Sequence, residues 1–278
     1  GHVHPRAPDL GSQRCLRREN VYPTTNSDPD AGRGTISRAC PAIRFWLNAK
    51  GKMLTASLIV ERSPGIAWMK MNRPDSLNAI NSDMLSRMNT ALSEFEADPS
   101  LRVVVLTATG KAFCSGADLK EGRDRAAAGN AEGSKAFLEA LRQLTVRLSN
   151  FPVPVLAAVN GTTAGGGLEL LLCCDLAIAA RSARVGDAHA NYGLLPGGGG
   201  SARLPRRIGI HRAKYMMYTG QLFDSELLQD WGLFIDVVDD EKLLERAAEI
   251  AARIGSKSPL GLRRMKQLVD DGMEQSLN

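Results

Sequence analysis

One carboxylate is notable because it follows three consecutive glycines and begins an otherwise apolar segment. The stretch AGGGLELLLCCD, residues 164–175, contains Glu169, and the next charged residue is Asp175. A buried carboxylate is costly unless it is hydrogen-bonded, neutralised by a proton or retained for chemistry. Glu169 is therefore expected either to cap a helix near its third residue or to act as a catalytic acid or base.

The glycines before Glu169 lie at a predicted turn between a strand and a helix. Residues 155–159 (VLAAV) predict a buried strand, and an apolar helix is predicted to begin near Gly165. Free backbone N–H groups at such a helix start can bind an anion or stabilise a developing oxyanion. A second loop of small residues, 111–120 (KAFCSGADLK), follows another predicted strand at 102–107. Because ligands bind at the carboxyl ends of parallel strands, each loop is expected to supply one amide.

Strand and helix patterns alternate along the rest of the chain. A hairpin is predicted around residues 63–65, and Asn81 is expected to cap a helix with apolar residues at helical spacing. Further strands are predicted at 175–180 and 234–238, and further helices at 138–148, after His211, after Glu241 and at 259–273. This alternation predicts an α/β fold built around parallel strands.

The positive charge of the chain lies near its beginning. The 278 residues have a formal net charge of +5, and residues 1–52 account for it with nine Lys or Arg against four Asp or Glu. Five of the 13 prolines also lie there, so this segment is predicted to be a disordered basic extension. The neutral remainder lacks a basic stripe with interleaved aromatic residues, which argues against nucleic acid as a partner. No apolar run is long enough to span a membrane, so no membrane association is expected.

The five cysteines are odd in number and form no CxxC pair. They are read as reduced, cytosolic-type thiols, so a cytoplasmic location is expected. Organelle targeting by the basic extension is the alternative, which its four acidic residues and its prolines disfavour. No metal site is predicted.

Four ordered blocks carry a resemblance to a known family. The blocks are NRPDSLNAIN (72–81), GKAFCSGADLK (110–120), PVPVLAAVNGTTAGGGLELLLCCDLAIA (152–179) and GLLPGGGGSARLPRRIG (193–209). Together they resemble the enoyl-CoA hydratase/isomerase family, whose crotonase-like fold consists of repeated ββα units with C-terminal helices. The resemblance implies a crotonase-like core at 53–255 and a C-terminal helical segment at 256–278, which is shorter than in related chains.

The resemblance also implies a substrate, an acyl thioester of coenzyme A, and no permanently bound cofactor. By position, Ala117 and Gly166 would donate the two backbone amides of an oxyanion hole, and Glu169 matches the first catalytic glutamate. The coenzyme A portion is expected to contact Lys111, Ala117, Asp118, Leu119, Lys120 and Gly166. Homotrimers or dimers of trimers are the assemblies that the resemblance implies.

The second catalytic position departs from the hydratase pattern. The block reads VGDAHANYGLLPG, and His189 stands where a hydratase has another glutamate. A histidine can bond a water or pass a proton near neutral pH, but it cannot serve as an anion. Asp187, Asn191 and Tyr192 flank it and are candidates to orient it or to contact substrate.

Three functions therefore remain open from the sequence. The first is a hydratase-like lyase that acts on an enoyl-CoA through the oxyanion hole and Glu169. The second is an isomerase, or another acyl-CoA enzyme, that uses Glu169 as its single base. The third is a non-catalytic protein of the same fold that binds RNA or another partner.

Overall fold

Two β-sheets and nine α-helices form the part of the chain that the structure describes, residues 56–273 and residue 275 of a computed structural model. The expected basic extension at 1–52 lies outside these residues. The first half contains β1 (Leu58–Ser63), β2 (Ile66–Met71), α1 (Ser82–Glu96), β3 (Val103–Ala108), β4 (Ala112–Cys114), α2 (Leu119–Ala127), α3 (Ala131–Ser149), β5 (Val155–Val159) and β6 (Thr162–Ala164). The second half contains α4 (Gly166–Leu172), β7 (Leu176–Ala180), β8 (Arg184–Gly186), α5 (Gly200–Ile208), α6 (Ile210–Thr219), β9 (Phe223–Asp224), α7 (Ser225–Asp230), β10 (Asp236–Val238), α8 (Leu243–Gly255) and α9 (Pro259–Gly272).

The larger sheet contains the strands that the sequence predicts. Its order is β1-β2-β3-β5-β7-β10, and it is parallel apart from the β1–β2 hairpin. The central strands β3 (VVVLTA) and β5 (VLAAV) are buried along their whole length, as continuous aliphatic runs require. The strand predicted at 155–159 is confirmed with the same ends, and those predicted at 102–107, 175–180 and 234–238 are confirmed with ends shifted by one or two residues.

A smaller sheet accounts for the repeated units of the fold. Its order is β4-β6-β8-β9, with β4, β6 and β8 parallel and β9 antiparallel to β8. Each of β4, β6 and β8 follows a strand of the larger sheet, and helices come after these pairs of strands. The pairs and their helices are the ββα units that the resemblance implies, and α8 and α9 supply the C-terminal helices.

The smaller sheet corrects the expected origin of the two functional loops. The sequence predicts that they follow the strands at 102–107 and 155–159 directly, whereas β4 and β6 intervene in the structure. Strands of two or three residues are too short for an alternating pattern, so the sequence did not reveal them. The loops therefore leave neighbouring parallel strands of the smaller sheet, at its carboxyl edge.

The helices pack mainly against the larger sheet. Asn81 caps α1 as predicted, because its side chain accepts a hydrogen bond from Met84 N at 2.9 Å. Helix α8 packs against β3 and β5. Helix α9 has no buried residue, and Lys266 joins it to Asp175, just before β7, through a 2.8 Å ion pair. No helix in the described part of the chain is both long and apolar enough to cross a membrane.

The contact between α4 and β4 depends on Gly167. A Cβ atom at this position would overlap the carbonyl oxygen of Cys114 and would lie 2.8 Å from its carbonyl carbon. Because Cys114 belongs to β4, that carbonyl cannot move away without disturbing the smaller sheet. Glycine at position 167 therefore determines how closely the start of α4 approaches the sheet.

Replacing Gly167 by alanine is expected to destabilise the protein by about 1–3 kcal/mol, the usual cost of overpacking a filled interior. Urea denaturation followed by circular dichroism measures this change in the free energy of unfolding. Gly122→Ala is the matched control, because Gly122 lies within α2 and nothing lies within 4 Å of its added Cβ. The control is expected to gain up to about 1 kcal/mol. Equal stability of the two variants would contradict this account of the contact.

Candidate active site

A cavity of about 1010 Å³ lies beside the carboxyl ends of β4, β6 and β8. The loops after these strands bring Ala117, Gly166 and His189 to its lining, and Glu169 reaches it from α4. Parallel strands thus gather residues that are far apart in the sequence. The rest of the lining is largely apolar and includes Leu119, Leu138, Leu141, Tyr192, Leu194, Leu195 and Leu222.

The backbone N–H groups of Ala117 and Gly166 both lie at this cavity, and neither has an acceptor among the described residues. Gly166 is the first residue of α4, where an N–H group has no partner within the helix. The two loops are in close contact, since a Cβ on Gly116 would lie 3.1 Å from Gly166 N and one on Gly166 would lie 3.5 Å from Ala117 N. Two such adjacent donors can bind a single oxygen atom, as an oxyanion hole does.

Glu169 is almost fully buried, at 3% exposure, yet one of its oxygens is fully engaged. Its Oε1 accepts hydrogen bonds from Gly198 N at 2.7 Å and Gly200 N at 2.9 Å, at the beginning of α5. The two backbone amides therefore fix the position of this oxygen. Glu169 therefore does not cap its own helix, which was the other role that its spacing predicted.

His189 lies between two carboxylates. Its Nε2 is 3.9 Å from Glu169 Oε2, and its Nδ1 is 3.1 Å from Asp187 Oδ1. The Nδ1 contact is an ion-pair contact whose angle departs from that of a good hydrogen bond. The carboxylate of Asp187 raises the pKa of His189 above its usual value; burial opposes the rise and Glu169 adds to it. The sequence made Asp187 a candidate to orient His189, and the two side chains are in contact.

Comparison with known proteins agrees with this geometry. A family model described as enoyl-CoA hydratase/isomerase matches residues 61–278. The chain belongs to this family. A short-chain-enoyl-CoA hydratase of Clostridium acetobutylicum is 36% identical over 219 residues, which are 78% of this chain and 82% of that protein. A crotonyl-CoA hydratase of Syntrophomonas wolfei is 35% identical over 233 residues, 81% of this chain and 86% of the relative.

A crystal structure of an enoyl-CoA hydratase from Bacillus anthracis superposes with a TM-score of 0.75 at 37% identity. The alignment covers 80% of this chain and 85% of that one. The resemblance drawn from the four sequence blocks and the crotonase-like fold are therefore confirmed. Enzymes of this family act on acyl-CoA thioesters. The chain is therefore an enzyme, and its reaction type is still to be decided.

The residues expected to contact coenzyme A divide into two groups. Ala117, Leu119 and Gly166 line the cavity. Lys111 and Lys120 are exposed and Asp118 is half-buried, and these three lie outside the cavity lining. Contact of the two lysines with coenzyme A phosphates stays a prediction.

Asp118 has a structural role in this enzyme. Its side chain caps α2 by accepting hydrogen bonds from Lys120 N at 3.0 Å and Glu121 N at 3.2 Å. It also forms an ion pair with Arg73 at 2.9 Å. Asp118 therefore holds the loop that carries Ala117, whatever its contact with a ligand.

Sequence reasoning missed the amides that hold Glu169 and one wall of the cavity. The glycine run at 197–200 was part of the family resemblance, but nothing in it indicates that its N–H groups face Glu169. The wall belongs to α3, where Lys135, Leu138, Glu139 and Arg142 recur at helical spacing. That periodicity was available from the sequence and could have identified a single helix face.

The cysteines near the site are unsuited to covalent catalysis. Cys114, Cys173 and Cys174 are buried free thiols, and burial raises the pKa of Cys114 to about 12. A thiol reacts as its thiolate, so Cys114 is inert near neutral pH. Cys15 and Cys40 lie outside the described residues. Within the described residues, no group of three or more His, Cys, Asp or Glu side chains could hold a metal ion.

The cradle of Glu169 leads to a test with adjacent glycines. A Cβ on Gly198 would lie 2.8 Å from Glu169 Oε2, so Gly198→Ala is expected to displace the carboxylate and lower kcat/KM for an acyl-CoA substrate about tenfold or more. Gly197→Ala is the control, because nothing lies within 4 Å of its added Cβ. Steady-state kinetics of both variants measure the effect. If Gly198→Ala matches its control, the position of Glu169 does not limit the reaction.

Proposed function

We propose that this enzyme adds water across the 2,3 double bond of an enoyl-CoA thioester. The observation that carries the proposal is the pairing of Glu169 Oε2 and His189 Nε2, 3.9 Å apart in the cavity that also exposes two free amides. A water molecule about 2.8 Å from each of these atoms fits between them, which is a normal hydrogen-bond distance. A reaction that needs only one base does not require this second polar side chain.

The two amides act on the thioester carbonyl in this proposal. Negative charge develops on the carbonyl oxygen as the β carbon is attacked, and Ala117 N and Gly166 N donate hydrogen bonds to it. Removing one donor of this kind typically lowers the rate by about a hundred- to a thousandfold. Both residues line the cavity, so their N–H groups can reach a thioester bound there.

Glu169 and His189 divide the proton transfers. Glu169 takes a proton from the water while the water oxygen bonds to the β carbon. Protonated His189 gives the proton on Nε2 to the α carbon, which completes the addition of H and OH. Glu169 then returns its proton to His189, so both groups are restored. The carboxylate that accepts two amide bonds is the base, and the imidazole with the raised pKa is the acid.

This division accounts for the departure at position 189. Water addition needs one base and one acid, and it does not need two anions. Neutral carboxylic acids and imidazolium ions both donate a proton, and the flanking carboxylates of Asp187 and Glu169 favour the imidazolium. A histidine in place of the second glutamate is therefore compatible with hydration.

The double-bond isomerase is the alternative, because it requires Glu169 alone to move a proton. Turnover of a panel of 2-enoyl and 3-enoyl thioesters of coenzyme A separates the two reactions.

The homotrimer or dimer of trimers implied by the family stays a prediction that sedimentation velocity can check.

Glu169→Gln is expected to lower hydration of a short 2-enoyl-CoA by about a hundredfold or more, since it keeps the shape but removes the base. The loss of absorbance of the conjugated thioester measures the rate. The proposal is wrong if the wild-type enzyme moves the double bond of 3-enoyl thioesters but hydrates no 2-enoyl thioester. It is also wrong if Glu169→Gln hydrates as fast as the wild type.

The oxyanion hole is tested by two substitutions at one position. Gly166→Pro removes an N–H at the first residue of α4, where proline is well tolerated, and is expected to lower kcat by about a hundredfold or more. Gly166→Ala keeps the N–H, and its Cβ would meet nothing closer than 3.5 Å, so it is expected to retain most activity. Circular dichroism verifies that both variants fold. Full activity in Gly166→Pro would place the carbonyl oxygen elsewhere.

A further inference from the structure

Behind His189 lies a carboxylate to which the proposed reaction assigns no proton transfer, that of Asp187. We infer that Asp187 is a positioning residue, which holds the imidazole of His189 so that Nε2 faces Glu169 and the cavity. The inference rests on the proposed hydration, because that reaction is what gives His189 a proton to deliver. It goes further by making a carboxylate–imidazole–carboxylate row, Asp187, His189 and Glu169, the functional unit.

The backbone around Asp187 is fixed by the same sheet that builds the oxyanion hole. Asp187 directly follows β8, and its carbonyl oxygen accepts a hydrogen bond from Gly165 N at 2.8 Å. The next residue, Ala188, has a φ of +57°, a left-handed conformation that reverses the chain. His189 is thereby brought back over the Asp187 side chain.

One oxygen of Asp187 contacts His189 twice. Asp187 Oδ1 accepts a hydrogen bond from the backbone N of His189 at 3.2 Å and lies 3.1 Å from its Nδ1. A single carboxylate oxygen thus holds the main chain of His189 through a hydrogen bond and its ring through an ion-pair contact. Because Nδ1 faces Asp187, Nε2 is the ring nitrogen that faces Glu169 and the cavity.

The burial of Asp187 indicates a role beyond that of a loop acceptor. The residue is 1% exposed, and its second oxygen, Oδ2, is buried without a hydrogen-bond partner in the described part of the chain. A buried carboxylate in this state is costly unless a positive charge compensates it. Among the described residues, His189 is the only ion-pair partner of Asp187. An asparagine at position 187 would accept the same hydrogen bond from His189 N without the cost of burying a charge. The negative charge of Asp187 therefore serves to pair with the imidazolium of His189.

The charges that face His189 act in the same direction. Asp187 faces it from the preceding residues and Glu169 from α4, and both raise the pKa of His189. A raised pKa keeps the imidazole protonated to higher pH, and deprotonation above that pKa removes the proton donor. Hydration is therefore expected to fall as the pH rises through the pKa of His189.

Asp187→Asn is the decisive variant, because it keeps the size and the Oδ1 acceptor but removes the charge. The midpoint of the His189 proton resonance in an NMR titration is expected to move to lower pH. The chain has four histidines, and the resonance that disappears in His189→Gln identifies the right one. The kcat for hydration is expected to fall about tenfold or more with little change in KM, and its high-pH limb should move to lower pH.

A double-mutant cycle separates positioning from a merely structural role. If Asp187 acts through His189, Asp187→Asn causes no further loss of kcat in a His189→Gln background. Independent, multiplicative losses would overturn the inference. So would an unchanged His189 titration in Asp187→Asn.

The titration also keeps this inference distinct from the proposed function. If the wild type hydrates no thioester, the hydratase proposal fails, whereas a lowered His189 midpoint in Asp187→Asn still supports the contact. If Asp187→Asn does not fold, the wild type alone decides: a His189 midpoint below the ordinary value of about 6.5 overturns the inference.

Discussion

The site depends on the approach of one short helix to one short strand. Helix α4 can begin against β4 only because Gly167 has no side chain to collide with the carbonyl of Cys114. That contact brings Gly166 N close to Ala117, and it carries Glu169 into the cavity on the same helix. A shift of this helix would move the Gly166 amide and the Glu169 carboxylate together, away from the Ala117 amide on the neighbouring loop. Close packing thus couples the stability of the smaller sheet to the geometry of the site.

Helix N-termini serve the site in two different ways. The first N–H of α4 is left free, so it can meet the negative charge that develops on a substrate oxygen. The N-terminus of α5 is occupied by Glu169, whose Oε1 accepts two of its amides. The N-terminus of α4 can therefore bind negative charge on a ligand, whereas the N-terminus of α5 already binds the carboxylate of Glu169. Because Glu169 also faces the cavity, the backbone at the start of α5 determines where its carboxylate lies.

In the proposed hydration, His189 takes the place of a carboxylic acid as the proton donor, so the base and the acid that water addition requires are both kept. A base and an acid must both reach the water and the double bond, and the acid can be an imidazolium as well as a carboxylic acid. An imidazolium needs a counter-charge when it is buried, and Asp187 supplies one from the adjacent loop. The substitution of histidine at this position and the burial of an aspartate two residues earlier are therefore parts of one arrangement.

The amino-acid sequence by itself determined the class of the molecule. Aliphatic runs such as 155–159 predict buried strands, Asn81 predicts a helix start, and the glycines before Glu169 predict a turn that exposes amides. These signals are local, because they depend on side chains within one turn or one strand. Their order along the chain, in four blocks, also carried the resemblance to the enoyl-CoA hydratase/isomerase family.

Only the tertiary structure decided how the site is assembled. The strands of the smaller sheet have two or three residues and no pattern of their own, yet their pairing places Ala117, Gly166 and His189 beside one cavity. The bonds from Gly198 and Gly200 to Glu169 join segments about thirty residues apart, and no local rule specifies them. The burial of Asp187 behind His189 likewise depends on strand pairing and packing. Such contacts follow from the three-dimensional path of the chain, which residue types alone leave open.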